Sequence, residues 1–257
     1  MKYAVITGAS SGIGSSFAAL YASKGYGLVL IARREKRLKV ISDTLRERYG
    51  TNSIIITADL SVMDEVYKCY ESVKDLDIEV FINNAGLGEA GAFKDTCLDK
   101  ELFMVDVNVK SVLVFSKLMV KYFENKDSGY LLNVASSAGL LPAGPYMAAY
   151  YASKAYVASL TRAIAAELKL SGSNVYVGCL CPGPVDTQFN EVANVEFALK
   201  GISAKYCVSY AYKMMKKKKT VIVPKFELKM AVMGGKLIPG KMMIFMTARQ
   251  QMKKITG

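Results

Sequence analysis

Six apolar runs recur along the first 190 residues, each separated from the next by a longer stretch of mixed polarity, and this alternation narrows the fold more than any other feature. The runs occupy 4–6, 28–32, 53–57, 80–83, 130–135 and 175–180, and 221–223, closed by Pro224, is a seventh. They are almost continuously apolar, the pattern of strands covered on both faces. The stretches between them, about 12–24, 34–49, 61–74, 101–124 and 147–171, read as helices. Strand–helix alternation implies parallel crossovers, so the expected fold is α/β: a doubly wound, seven-stranded parallel sheet with helices on both faces.

The chain of 257 residues can bury a substantial core without disulfides or metals. One domain is expected over 1–224, with a basic, Met-rich helical extension over 225–257 packed on it or projecting from it. Histidine is absent, which excludes His-based triads and His-containing metal sites and leaves Tyr, Lys, Cys or carboxylates for acid–base work. The five cysteines are scattered, as free thiols of a reducing compartment are; Cys179 and Cys181 read as core thiols, and no metal site is expected. The chain runs from Met1 and Lys2 straight into its first strand, and no apolar stretch is long enough to span a bilayer. A cytoplasmic protein is expected, with peripheral contact to the inner face of the membrane left open.

The first strand leads into Thr7-Gly8-Ala9-Ser10-Ser11-Gly12-Ile13-Gly14 and then a helix. Glycines at that junction allow a tight turn and close backbone approach to a pyrophosphate, which a helix N-terminus stabilises. After the second strand, where a carboxylate would grip the ribose hydroxyls of NAD, the chain places Arg33-Arg34. Guanidinium groups suit a 2′-phosphate, and Ser10 and Ser11 add hydroxyl donors, so NADP(H) is expected over NAD(H).

Tyr150 and Lys154 stand four residues apart at the start of a helical stretch and share one face. An ammonium beside a phenol favours the phenolate, which would bring the tyrosine toward proton transfer. Together with the glycine loop, Asp59-Leu60, Asn83-Asn84-Ala85-Gly86, Asn108, Asn133-Val134-Ala135-Ser136 and Pro182-Gly183-Pro184-Val185-Asp186-Thr187, taken in order, these residues resemble the short-chain dehydrogenase/reductase family over about 2–224. The resemblance implies a Rossmann-type fold and hydride transfer between NADPH and a carbonyl or alcohol. It also implies roles. Tyr150 would be the general acid or base, Lys154 would hold the nicotinamide ribose and depress the tyrosine pKa, and Ser136 would polarise the carbonyl. Asn108 would order a proton-relay water, and Asp59, Leu60, Asn84, Ala85 and Gly86 would border the cofactor. Pro182, Gly183, Val185 and Thr187 would cover the nicotinamide.

Two counts disagree over the serine. Counting from Asn133 gives Ser136, whereas counting back from Tyr150 gives Ser137; an inserted residue in the loop 140–145 favours Ser136. The segment 186–205, with Phe189, Val192, Val195, Phe197 and Leu199, is expected to cap the pocket over a small-to-medium apolar substrate.

Residues 201–257 hold 13 of the 34 basic residues, one of the 22 acids and eight of the 13 methionines, leaving 21 charges of each sign in 1–200. Three readings of this tail stand: helices packed on the domain, an amphipathic surface that meets anionic lipid, or a partner-binding or dimerising surface; the resemblance also implies a homodimer or homotetramer paired through the long central helices, which the tail could block or replace. Nucleic acid is not expected, because Lys216–Lys219 lacks interleaved aromatics. The alternatives to an enzyme are a non-catalytic NADP(H) sensor or scaffold, and a membrane-surface binding module acting through the tail.

Overall fold

The computed structural model describes residues 1–187, 201–235 and 238–255. Its strands are β1 (Tyr3–Thr7), β2 (Gly27–Ala32), β3 (Ser53–Thr57), β4 (Ile78–Asn83), β5 (Tyr130–Val134), β6 (Tyr176–Leu180), β7 (Val185–Asp186), β8 (Ile202–Ser203) and β9 (Val221–Ile222). Seven of them form one sheet in the order β3-β2-β1-β4-β5-β6-β9, with every pairing parallel. The seven expected strands are all in it. A separate two-stranded pair, β7 with β8, was not anticipated.

Alternation along each strand feeds two cores. Leu28 and Leu30 of β2 face one side and Val29 and Ile31 the other, all fully buried. Each such side chain contributes about 1.5–3 kcal/mol of burial. The first core is closed by α1 (Gly12–Ala22), α2 (Glu35–Tyr49) and, later in the chain, the helix Ala204–Lys216. The second lies under α3 (Met63–Glu71) and the helices that follow it. Gly50 ends α2 in the left-handed region at φ 67°, where a side chain would be strained.

The long helix expected over 101–124 is three pieces: α4 (Leu98–Val105), a five-residue π segment (Asp106–Lys110) and α5 (Ser111–Asn125). A π turn absorbs one extra residue and rotates the helix beyond it. Next come α6 (Ala148–Leu170), α7 (Ala204–Lys216), α8 (Phe226–Gly235) and α9 (Gly240–Ile255). Among the described residues no helix is long and apolar enough to cross a membrane.

The sheet order reverses between β1 and β4, which are neighbours in space but not in sequence. Their connections leave in opposite directions, and a crevice opens at the carboxyl ends of the strands.

Candidate active site

The glycine loop is tied across that crevice. Thr7 Oγ1 accepts the backbone N–H groups of Asn84 at 2.9 Å and Ala85 at 3.0 Å, and Asn84 Nδ2 donates back to the carbonyls of Thr7 at 2.9 Å and Gly8 at 3.2 Å. Gly8 and Gly12 take positive φ values of 63° and 58°. A Cβ on Gly14 would lie 2.3 Å from the Gly8 carbonyl oxygen, so the helix start can approach the turn only without one. Thr187 meets the loop from the other side: a Cβ on Gly12 would lie 3.0 Å from its Cγ2.

At the end of β2 the two arginines separate. Arg34 Nη2 donates to Ser10 Oγ and Ser11 Oγ, both at 3.0 Å, and its Nε reaches Ser10 Oγ at 3.3 Å. Partial burial and the neighbouring Arg37 and Arg33 lower the Arg34 pKa. Arg33 turns instead to Asp59, 3.8 Å away, and lies over the Phe103 ring. The fork of Arg34 and two hydroxyls is a ready anion site; Arg33 is already engaged by a carboxylate.

Tyr150 and Lys154 leave α6 on its buried face. Tyr150 hydrogen-bonds Ser136, which lowers the tyrosine pKa, but burial dominates and pushes it up to about 12. Lys154 is 4% exposed, and burial takes it down to about 8. Its Nζ donates to the Val134 carbonyl at 3.1 Å and lies 5.9 Å from the centroid of the Tyr150 ring. The Ser136 hydrogen bond is an influence that lowers the phenol pKa. Without a ligand, burial favours the neutral form of both groups.

The Ser137 N–H donates to the Pro182 carbonyl at 2.8 Å, and Ser137 opens a short 3-10 turn. Asn108 sits in the π segment, wholly buried. Its Nδ2 donates to the Leu87 carbonyl at 2.9 Å and to Ser153 Oγ at 3.1 Å, and its Oδ1 accepts the Leu87 N–H at 2.9 Å. A Cβ on Gly86 would lie 3.0 Å from Lys154 Nζ and 3.2 Å from Asn108 Oδ1, so this glycine keeps the ammonium and the amide within reach of one small space. Behind them Asn83, Asn133, Ser116 and Thr161 form a buried hydrogen-bonded network that holds β4, β5, α5 and α6 together. Of these four only Asn83 and Asn133 stood in recognised motifs; Ser116 and Thr161 carry no sequence signal.

Apart from Gly14 and Asn108, every candidate residue lines a single cleft of about 390 Å³. The tail lines it too. Leu228 of α8 packs on Gly183, where an added Cβ would lie 2.7 Å from its Cδ2, and α9 brings in Gln250 and Gln251. Gln251 is 2% exposed and its Nε2 donates to the Tyr151 hydroxyl at 2.5 Å. Sequence reading missed this contact. The available signal was the Met243, Thr247 and Gln250–Gln251 spacing, which sets one face of α9 apart from its basic and apolar remainder. The expected cap residues Phe189, Val192, Val195, Phe197 and Leu199 lie outside the described residues.

A family model described as short chain dehydrogenase matches residues 2–196. The very-long-chain 3-oxoacyl-CoA reductase of Anas platyrhynchos is 31% identical over 200 residues, covering 76% of this chain and 63% of the relative. The chain thus spans less than two thirds of that protein's length. A 7beta-hydroxysteroid dehydrogenase of Mediterraneibacter gnavus is 30% identical over 176 residues, 68% of this chain and 66% of the relative. Among solved structures, a short-chain dehydrogenase from Sphingobium yanoikuyae in complex with NADPH superposes with a TM-score of 0.83 at 26% identity, covering 92% of this chain and 94% of that one. A short chain dehydrogenase/reductase from Burkholderia phymatum in complex with NAD gives 0.82 at 26% identity, over 90% and 91%.

Proposed function

Since the chain belongs to the short-chain dehydrogenase/reductase family, we propose that it is an NADPH-dependent reductase of apolar, lipid-like ketones with Tyr150 as its proton donor. The observation that carries this reading is one cleft with an anion fork, Arg34 with Ser10 and Ser11, at one part and the Ser136–Tyr150 hydrogen bond beside buried Lys154 at another.

The residues present fit a nicotinamide dinucleotide. The glycine loop leaves a cradle that side chains would fill, and the donor set at Arg34 suits the 2′-phosphate that distinguishes NADP from NAD. Asp59 and Leu60 would border the adenine, Asn84 to Gly86 the central part, and Pro182, Gly183, Val185 and Thr187 the carboxamide. When bound, the cofactor supplies the hydride for reduction or takes it for oxidation. Tyr150 gives its proton to the substrate oxygen as negative charge grows there. Ser136 donates a hydrogen bond to the same oxygen. Lys154 holds the ribose, and with Asn108 passes a replacement proton to Tyr150 from solvent. The relatives act, by name, on 3-oxoacyl-CoA and hydroxysteroid substrates; a ketone of that lipid-like class is the substrate proposed here.

A second proposal concerns the outer face of the tail. Met242, Phe245, Met246, Arg249 and Met252 fall on one exposed stripe of α9, flanked by exposed Lys241. An apolar stripe with basic residues suits contact with anionic lipid. Residues 1–224 are then the reaction domain, and 225–257 an extension that both walls the site and meets the surface.

The enzymatic reading is tested by following NADPH oxidation with 3-oxoacyl thioesters, steroid ketones and simple cyclic ketones. Turnover is expected, with Tyr150→Phe lowering kcat by about 10²–10⁴-fold while NADPH binding persists. Arg34→Ser is expected to weaken NADPH binding by about 10- to 100-fold and to leave NADH little changed. Stoichiometric NADPH binding without turnover of any ketone would instead favour a cofactor sensor.

A further inference from the structure

A second cavity, of about 440 Å³, lies along the β9 edge of the sheet, between the 3-10 turn after β5 and the helices α8 and α9. It is as roomy as the cleft and falls within the range of about 300–1,000 Å³ of small-molecule sites. Its walls are apolar, with Leu140, Val223, Val232 and Met243 among them. Two cations also line it, Arg162 of α6 and Lys229 of α8, and no acid does. Both are exposed, so a head group arriving from water can reach them. Arg162 donates from Nε to the Ala158 carbonyl at 3.2 Å, and its charge bears on the buried thiols of Cys179 and Cys181, which pack in one cluster with Val223. The guanidinium is thus turned toward the sheet edge that the cavity follows. Among the described residues neither cation forms an ion pair. Leu141 lines this cavity and the cleft alike, so the two adjoin at a shared wall.

We propose that this cavity binds an aliphatic carboxylate, its chain among Leu140, Val232 and Met243 and its head group at Arg162 and Lys229. Charge and polarity together select that ligand. A neutral hydrocarbon leaves both cations without a counter-charge, and a small inorganic anion leaves the apolar walls uncovered. A guanidinium matches a carboxylate through two parallel hydrogen bonds, and an ammonium adds a point charge. Because both cations are exposed, the bound head group keeps part of its hydration and avoids the full cost of burying an ion. The site stands independently of the reductase reading, since neither cation lines the cleft.

The test is isothermal titration of the full chain with octanoate, decanoate and decan-1-ol, each kept below the concentration at which it forms micelles. Saturable binding of one decanoate per chain is expected. Octanoate, two methylenes shorter, is expected to bind about tenfold more weakly, and decan-1-ol, which lacks the charge, weaker than decanoate by about tenfold. The double substitution Arg162→Gln with Lys229→Gln is expected to bring the ratio of acid to alcohol affinity toward one. Val232→Trp, which fills the cavity, is expected to weaken both ligands about tenfold or more; Val232→Phe repeats the measurement if the first variant is unstable. Absence of decanoate binding, equal affinity for acid and alcohol, or a preference that survives the double substitution overturns the proposal. So does an affinity that filling the cavity leaves unchanged, which would put the chain in the cleft instead.

Discussion

Lys154 is buried without a carboxylate partner among the described residues, and its protonation is a burden on the fold. Burial takes its pKa down to about 8, against about 10.4 for a free lysine. The unfolded chain therefore binds this proton more tightly than the folded one. Below about pH 8 both states are protonated and the folded state carries the full penalty; between about pH 8 and pH 10.4 the penalty fades. Lys154→Met should accordingly raise the Tm of the cofactor-free protein at about pH 7, and its advantage over wild type should shrink as the pH climbs through that window. A Tm difference that stays constant with pH would contradict this origin. At this scale Tyr150 and Lys154 were legible because helical spacing is rigid. The serine was harder: counting forward from Asn133 crosses only the end of β5, whereas counting back from Tyr150 crosses an irregular loop in which Tyr146 takes a φ of 66°. Tyr150 hydrogen-bonds Ser136.

Among the elements, strands and helices followed the sequence closely because the two-sided burial of the sheet writes itself as apolar runs. The π segment did not show, since one extra residue between 98 and 125 barely disturbs the spacing of apolar positions on either side. Its effect is nevertheless local and specific, because Asn108 lies in it. The helix α9 was harder to place: its sequence gave a helix but not the surface it covers. Deleting 236–257 should remove the Gln251–Tyr151 contact and open one wall of the cleft. The expected result is a rise in ketone KM of about tenfold or more, with the NADPH Kd little altered, because Arg34 bonds Ser10 and Ser11 at the far side of the cleft from Leu228 and Gln251. A comparable loss of NADPH affinity would show that the tail supports the cofactor region instead.

Across the whole molecule, charge is divided unevenly: 1–200 is balanced, and the excess falls in the last segment. That asymmetry was plain in the sequence, but the direction it faces required the phase of α9. Phe245, Met242 and Met246 are 65%, 53% and 52% exposed while Met243 is buried. The intact protein should co-sediment with vesicles containing anionic lipid, and less with zwitterionic ones. The double substitution Phe245→Ser with Met246→Ser should reduce binding severalfold by removing inserted apolar area. If that variant instead converts a dimer to a monomer on size-exclusion chromatography without altering sedimentation, the stripe is a self-association surface.

The match to the family model stops at residue 196, yet Leu228 and Gln251 reach the cleft from beyond it. Under the proposed reading, the groups that move the proton and some that would meet the substrate lie on different stretches of chain. A gene duplicate could keep every group that moves the proton and still acquire a new diet through changes confined to its last helices. On that reading, kinship over residues 2–196 forecasts the reaction, and the last helices shape which molecule enters the cleft.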